Sequence, residues 1–184
     1  LHYFKREFRT ISSFSHSNLV SLFDLHVDGE QYYYTMELIE GTDIYQYVNR
    51  NNRVITDAQF LCDPERIVRL RSCLTQLFRG LAFLHRHNRI HRDIKPSNLL
   101  VTPGGRLKLV DFGIVKELLP GGQGQSLSQV FGTATYFSPE QSLGSHVTQA
   151  SDNYSAGVVL YEMLCGVPPF TGESSGVALK HRNE

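Results

Sequence analysis

The spacing of apolar side chains predicts two amphipathic helices. In residues 4–14, apolar residues recur every three to four positions with charged residues between them, which is the period of a helix. A longer helix is predicted to begin after Asp63, whose side chain can cap the first turn, and Pro64 stands where no N–H is needed. Its predicted buried side consists of Ile67, Leu70, Leu74, Leu77, Leu81 and Leu84.

Short apolar runs predict strands at residues 19–27, 32–39, 99–101 and 107–110. Asp28-Gly29 separates the first pair, and a Pro-Gly-Gly turn at residues 103–105 separates the second, so each pair is predicted to form a hairpin. Residues 43–50 predict a short helix. The apolar run at residues 156–169 contains Glu162 and is too short to cross a bilayer, so it predicts a core helix.

Charge and cysteine content narrow the classes of function. Lys+Arg and Asp+Glu number 18 each, so the formal net charge is zero, and no basic stripe indicates nucleic acid or an anionic membrane as partner. The 3 cysteines, Cys62, Cys73 and Cys165, are widely spaced, which predicts buried thiols in a reducing compartment rather than disulfides or a zinc site. Neither a signal peptide nor a membrane-spanning segment is predicted within the chain. We therefore expect a cytoplasmic location, with a membrane anchor outside the chain left open.

Candidate chemistry is concentrated in HRDIKPSN at residues 91–98 and DFG at residues 111–113. Transfer of the γ-phosphoryl group of ATP needs a carboxylate that orients the attacking hydroxyl, together with ligands for Mg²⁺. Asp93 is the candidate for the first role. Asn98 and Asp111 carry the hard oxygen donors that Mg²⁺ prefers and are the candidate metal ligands.

These motifs and their spacing resemble those of eukaryotic-type (Hanks-type) serine/threonine protein kinases. The resemblance implies an α+β, protein-kinase-like two-lobe fold, with a partial β-rich small lobe and a mostly helical large lobe. Residues 1–38 would be a remnant of the small lobe, and residues 39–184 the hinge and the large lobe without its last helices. The implied function of the full-length parent is ATP- and Mg²⁺-dependent phosphorylation of serine and threonine hydroxyls on protein substrates. The 184-residue stretch alone is expected to be inactive, because the family's glycine-rich loop and lysine would lie upstream.

The resemblance assigns two further catalytic roles. Lys95 would neutralise the γ-phosphate as charge develops on it, and Thr133 would bridge Asp93 and Lys95 through its hydroxyl. Thr133 lies in residues 131–140, which resemble the end of a kinase activation loop. That segment favours serine and threonine over tyrosine as the phosphorylated residues. It also disfavours a small-molecule kinase of the same fold.

The nucleotide site is also implied by the resemblance. Met36 would be the gatekeeper at the end of a strand, and the backbone of Glu37 and Ile39 would hydrogen-bond the adenine edge. Asp43 would reach the ribose, and Leu100 would form the floor beneath the base. Without the resemblance, Met36 would be read simply as a core residue.

A helix and a set of packed side chains would support this site. Glu7, in the helix predicted at residues 4–14, would pair with a lysine from the preceding strand and so act on the nucleotide; a solvated helix glutamate is the alternative. His91 and Phe112 would pack together with apolar residues of the small lobe, Ile11 and Leu22. Asp152 would brace the backbone of residues 91–98, which correspond to the family's catalytic loop.

Residues 120–128 are rich in glycine, glutamine and serine, and are interpreted as an activation loop rather than a domain linker. Ser126 and Ser128 are candidate phosphorylation sites, since a phosphate there could bind Arg92. The parent would then be activated by phosphorylation, with a second copy as the partner for trans-autophosphorylation. A pseudokinase or scaffold module is the alternative function. The intact Asp93 and its neighbouring motif residues argue against it.

Overall fold

The computed structural model describes residues 2–29, 31–49, 63–112 and 134–170. Its helices are α1 (His2–Ser12), α2 (Ile44–Val48), α3 (Pro64–Arg86), α4 (Pro139–Ser142) and α5 (Gln149–Cys165). Its strands are β1 (Leu22–Asp28), β2 (Gln31–Met36), β3 (Thr42–Asp43), β4 (Leu99–Val101) and β5 (Leu107–Leu109). Two 3-10 turns, Pro96–Asn98 and Ala134–Tyr136, lie among them. Helices with short antiparallel strands confirm the predicted α+β class.

Helix α3 begins where the sequence predicts. The Asp63 carboxylate accepts hydrogen bonds from the backbone N–H groups of Glu65 (3.0 Å) and Arg66 (3.2 Å), which would otherwise lack partners at a helix start. Most of the predicted apolar side is buried against the core. The buried residues of that side are Leu70, Leu77, Leu81 and Leu84, whereas Ile67 and Leu74 are half-buried.

The helices at the two ends of the described chain differ from the prediction at their limits. Helix α1 ends at Ser12 instead of residue 14. Helix α5 starts at a cap formed by Thr148, and it ends at Cys165 because Gly166 adopts a left-handed conformation with φ of 79°. The predicted extension to residue 169 is therefore wrong. Cys73 is buried as expected, but Cys165 is exposed, so the expectation of buried thiols is wrong there.

The first hairpin is shorter than predicted. Strands β1 and β2 pair antiparallel with an irregularity between Leu22 and Leu25. The preceding Leu19 does not belong to this hairpin but forms a parallel bridge with Leu109 of β5. Backbone hydrogen bonds from Val20 to Leu109 (3.0 Å) and from Leu109 to Asn18 (2.8 Å) hold the segment there. The hairpin is therefore anchored to the second sheet through the segment before β1.

Strands β3, β4 and β5 form an antiparallel sheet in that order. Its β3–β4 register pairs Thr42 with Val101 and Asp43 with Leu100. Gly41, just before β3, passes so close to β4 that a Cβ atom at this position would lie 2.4 Å from the carbonyl oxygen of Val101. Glycine is thus required for the approach of the two strands.

The assignment of residues 1–38 to a small lobe and of residues 39–184 to a hinge and large lobe stays a prediction. Across the part of the chain that the structure describes, no helix has both the length and the apolarity needed to cross a membrane.

Candidate active site

Three of the predicted catalytic residues lie together in the loop before β4. The Lys95 ammonium is 2.9 Å from Oδ2 of Asp93. The Asn98 amide donates to the backbone carbonyl of Asp93 (2.8 Å) and to its Oδ2 (2.9 Å). Asp93 and Asn98 are buried, whereas the Lys95 side chain is partly exposed. One carboxylate oxygen of Asp93 is therefore held by a cation and an amide, which fixes the direction of the other.

The two predicted metal ligands are connected through the β4–β5 region. The N–H of Val110, directly before Asp111, donates to the carbonyl of Asn98 at 3.0 Å. The Asn98 amide nitrogen is engaged by Asp93, which leaves its oxygen for a cation. Among the described residues no group of three or more His, Cys, Asp or Glu side chains could hold a metal. Two protein oxygens completed by phosphates and water suit Mg²⁺, so the donor set fits this ion.

Backbone strain marks both motifs. Arg92 and Asp111 have φ values of 65° and 62°, in the left-handed region that non-glycine residues rarely occupy. Arg92 is held from two sides, because its N–H donates to Asp152 at 2.8 Å and its carbonyl accepts from the Gln141 amide at 2.9 Å. Such conformations persist where surrounding contacts over-determine them, and they cluster at functional sites.

Asp152, at the start of α5, braces the catalytic loop as the resemblance implied. Its carboxylate is 1% exposed and accepts the backbone N–H groups of His91 (2.9 Å) and Arg92 (2.8 Å). His85, near the end of α3, adds a third contact, with its Nε2 atom 2.8 Å from the same carboxylate. Sequence reasoning missed His85, since nothing in the local pattern indicates a partner so distant in sequence.

His91 and Phe112 pack together, which confirms the predicted contact. Their ring centroids are 5.7 Å apart, and Ile11 and Leu22 are buried in the same core. Nε2 of His91 lies 3.1 Å from the carbonyl oxygen of Val110. Because a carbonyl only accepts, Nε2 must carry the proton. Burial lowers the pKa of His91, so the ring is neutral and packs as an apolar group.

Glu37, whose backbone is predicted to bind the adenine edge, is held in place by a side chain that the sequence did not indicate. Lys108 of β5 contacts the Glu37 carboxylate at 2.9 Å and donates to the Leu19 carbonyl at 3.2 Å. Burial opposes ionisation of Glu37, but its bonds to Lys108 and to the Ser21 N–H outweigh burial and lower its pKa. The Glu37 N–H donates to the Ser21 carbonyl at 2.9 Å. Only its carbonyl is then left for an adenine edge.

The other predicted nucleotide contacts come before and after Glu37 in the sequence. Met36 ends β2 and is 44% exposed, whereas Ile39 is half-buried against the core. Asp43 and Leu100 are register partners in the β3–β4 pair, so the predicted ribose contact and the predicted floor are adjacent. The Asp43 carboxylate caps α2, accepting the Gln46 N–H at 2.8 Å.

Glu7 is not a solvated helix residue. Its side chain is 3% exposed and forms an ion pair with Arg89, which lies between α3 and the catalytic loop. Arg6 lies farther away, at 3.9 Å, and is largely exposed. Sequence reasoning missed Arg89, because the resemblance directed attention to a lysine outside this segment. The buried glutamate therefore ties α1 to the segment that leads into the catalytic loop.

Asp111 has a neighbour on β2 that was also missed. The Tyr34 hydroxyl donates to Oδ1 of Asp111 at 3.3 Å. Burial, followed by the charge of Asp111, raises the pKa of Tyr34 to about 12, so the hydroxyl keeps its proton at neutral pH. It uses part of the acceptor capacity of a carboxylate that is a predicted metal ligand.

The predictions for Thr133, Ser126 and Ser128 fall outside the described residues. The described part of the segment resumes at Ala134. There the Ser138 hydroxyl caps α4, and the Tyr136 hydroxyl donates to Glu162 at 2.8 Å. These contacts join the end of the predicted activation segment to α4 and α5.

Comparison with known proteins identifies the family to which this fold and this group of motifs belong. The family model for the protein kinase domain matches residues 2–183, and the chain belongs to this family. It is 36% identical over 98% of its length to the probable serine/threonine-protein kinase PknB of Lactococcus lactis. It is 37% identical over 97% to the serine/threonine-protein kinase PrkC of Bacillus subtilis.

Serine/threonine-protein kinase PknA of Mycobacterium tuberculosis is 35% identical over 98% of the chain. The chain spans 27%, 26% and 41% of the lengths of these three relatives. The resemblance to bacterial kinases of this type is thus confirmed over nearly the whole chain. It reaches only a part of each relative.

Proposed function

We propose that the protein carrying this chain transfers the γ-phosphoryl group of ATP to serine and threonine hydroxyls of proteins. The observation that supports this most directly is the cluster of Asp93, Lys95 and Asn98, with Asp93 bound by the other two at 2.8–2.9 Å. A scaffold would have no use for this arrangement next to a connected Asp111. The relatives, which are serine/threonine-protein kinases by name, support the same reaction.

In this proposal, Asp93 accepts a hydrogen bond from the substrate hydroxyl and orients it toward the γ-phosphorus. Positioning supplies most of the acceleration, because the transition state of phosphoryl transfer is loose. Lys95, held beside Asp93, stabilises the charge on the transferred group. Thr133 would help to place the substrate against both residues. Serine and threonine are the expected acceptors for this reason.

Asn98 and Asp111 are the residues that would hold Mg²⁺ in this proposal. The ion, when bound, would neutralise charge on the β- and γ-phosphate oxygens. The Glu37 carbonyl and the Ile39 N–H would bind the adenine edge, with Met36 behind it and Leu100 beneath it. Asp43 would bind the ribose. Glu7 would orient the phosphates indirectly, through the position of α1.

Location and regulation belong to the same proposal. We place the domain in the cytoplasm, where ATP is available, with protein substrates as partners. Phosphorylation of Ser126 or Ser128 by a second copy would bring a charge of about −1.5 to −2 near Arg92 and order the segment before Thr133. The pseudokinase alternative has no observation in its favour.

The test uses Asp93→Asn and Asp111→Asn variants of the full-length protein, with Asp24→Asn as an exposed control on β1. Radiolabelled phosphate transfer to a protein substrate should fall at least about a hundredfold in both site variants, in the range that positioned catalytic groups contribute. Asp111→Asn should also weaken Mg²⁺-dependent nucleotide binding. Near-normal rates in both site variants would leave the scaffold function as the better explanation.

A further inference from the structure

A groove away from the active site lies between α3, the β4–β5 turn and the segment before β1. It encloses about 500 Å³. Its main lining residues are Asn18, Val68, Arg71, Gln76, Arg79 and Arg106. None of these residues takes part in the proposed phosphoryl transfer.

The groove has an unbalanced positive charge. Arg71, Arg79 and Arg106 are exposed, and within the described part of the chain no Asp or Glu lines the groove. Among the described residues, none of these three guanidinium groups has an ion-pair partner. Arg69, on the same helix, does have partners: it contacts Asp63 and Glu65, at 3.9 and 3.5 Å. In a chain with 18 basic and 18 acidic residues, three uncompensated arginines in one groove are a local excess.

The floor of the groove is rigid. The side-chain oxygen of Gln76 accepts from the Asn18 amide and from the Leu107 N–H, both at 3.0 Å. The Gln76 amide nitrogen donates to the Gly105 carbonyl at 2.8 Å, and Asn18 also donates to the Leu107 carbonyl at 2.8 Å. These bonds lock α3 to the β4–β5 turn. The groove is therefore preformed, which lowers the cost of ordering it when a ligand binds.

We propose that this groove docks an acidic segment of the protein substrate, separate from the hydroxyl that is phosphorylated. Arg71 and Arg79 lie eight positions apart on α3, a distance of about 12 Å along the helix axis. An extended peptide advances about 3.3 Å per residue, so carboxylates roughly four residues apart would reach both arginines. Val68, which is 67% exposed on the same helix, offers a contact for one apolar side chain.

Charge complementarity favours an acidic peptide over nucleic acid. Proteins that bind nucleic acid tightly neutralise about 6–10 phosphates, whereas this groove offers three cations. This proposal rests on the proposed kinase function in one respect only, namely that the docked partner is a substrate. The binding itself is measurable without phosphoryl transfer.

The probe is a fluorescently labelled peptide with glutamate at every fourth position and leucine between the glutamates. The full-length protein is added to it at low salt, and the fluorescence anisotropy of the peptide reports binding. Arg71→Gln with Arg79→Gln should weaken binding about tenfold, since each exposed ion pair is worth up to about 1 kcal/mol. The matched control is Arg9→Gln with Arg86→Gln, which removes the same charge from exposed helix ends outside the groove. The control should bind like the wild type. A peptide with glutamine in place of glutamate should bind weakly to all three proteins.

Equal weakening in both double variants would overturn the proposal, because it would reveal general charge attraction instead of a site. So would an unchanged affinity in the groove variant, or tighter groove-dependent binding of a labelled single-stranded oligonucleotide than of the peptide. Phosphate transfer is measured on the same proteins with a substrate that lacks acidic segments. If the groove variant loses peptide binding but keeps phosphate transfer, the docking proposal is supported. If the wild type binds the peptide but transfers no phosphate, only the proposed kinase function is contradicted.

Discussion

At the residue scale, Tyr34 and the proposed metal ion would both contact the Asp111 carboxylate. The hydroxyl of Tyr34 donates to the carboxylate that is proposed to bind the metal ion. Because burial and the nearby charge raise the pKa of Tyr34 to about 12, this hydrogen bond persists over the whole neutral range. The contact stabilises the metal-free carboxylate, so we expect it to weaken the binding of a metal ion at Asp111.

Tyr34→Phe should lower the Mg²⁺ concentration that gives half-maximal activity. The expected decrease is about fivefold at most, since a typical hydrogen bond contributes roughly 1 kcal/mol. The measurement is phosphate transfer as a function of Mg²⁺ at saturating ATP. Tyr33→Phe is the control, because Tyr33 is 52% exposed and its ring stacks on His26. A higher Mg²⁺ requirement in Tyr34→Phe would show that the hydroxyl helps to place Asp111 for the metal.

At the scale of elements, a buried ion pair joins α1 to the segment between α3 and the catalytic loop. The Glu7 carboxylate is buried, and Arg89 supplies its counter-charge. Removing one partner of a buried pair leaves an uncompensated charge, which costs more than the intact pair contributes. The position of α1 is therefore coupled to the segment that leads into His91.

Arg89→Leu should destabilise the protein by about 2–4 kcal/mol, slightly less than a fully buried pair would lose, because the Arg89 side chain is 21% exposed. Urea-induced unfolding measures the change. Arg6→Leu is the control and should leave stability within about 0.5 kcal/mol, as expected for a surface substitution. A Glu7→Gln, Arg89→Leu double variant should recover part of the loss. If Arg89→Leu and Arg6→Leu behaved alike, the ion pair would not hold α1.

The contact between β3 and β4 gives a second test at this scale. Gly41→Ala would place a Cβ atom 2.4 Å from the Val101 carbonyl oxygen, so the strands must move apart. The expected loss of stability is about 1–3 kcal/mol, as for other overpacked sites. Nucleotide affinity should fall as well, because Asp43 of β3 and Leu100 of β4 are proposed to contact the nucleotide and would move with their strands. Gly104→Ala is the control, since its Cβ atom would meet only Thr102 Oγ1 at 3.9 Å.

The sequence predicted those elements whose signals are local. Asp63 and Pro64 mark the start of α3, and the Asp-Gly at residues 28–29 marks the β1–β2 turn. The predicted start of β1 was wrong because strand pairing determines it. Leu19 joins β5 through hydrogen bonds that no local pattern indicates. The motif residues were found through their spacing. The supporting residues His85 and Arg89 were missed, since their partners lie far away in sequence.

At the scale of the whole molecule, alkaline pH should destabilise the fold. Burial raises the pKa of Cys73 from 9.0 to about 11. A group whose pKa is raised by folding contributes stability that is complete below its unfolded pKa and is lost as pH rises through the folded value. The stability that Cys73 contributes is therefore lost between about pH 9 and 11. Tyr34 acts in the same direction between pH 10 and about 12.

Cys73→Ala should make the free energy of unfolding fall less steeply between about pH 9 and 11, although the cavity lowers stability at every pH. The measurement is urea-induced unfolding at several pH values under reducing conditions. Cys165→Ala is the matched control, because Cys165 is exposed. It should lower the free energy of unfolding at neutral pH by less than Cys73→Ala does, because it leaves no internal cavity. Identical slopes in Cys73→Ala and the wild type would mean that the thiol does not titrate with unfolding.

The hydrogen bonds to Asp152 should also determine how often the backbone of the catalytic loop is exposed to solvent. The amides of His91 and Arg92 belong to no helix or strand, yet both donate to a carboxylate that is 1% exposed at the start of α5. Amide hydrogens exchange with deuterium only when such bonds open. These two amides should therefore exchange as slowly as the interior of α5, much later than ordinary loop amides. The loop that carries Asp93 would then open to solvent only together with the first turn of that helix.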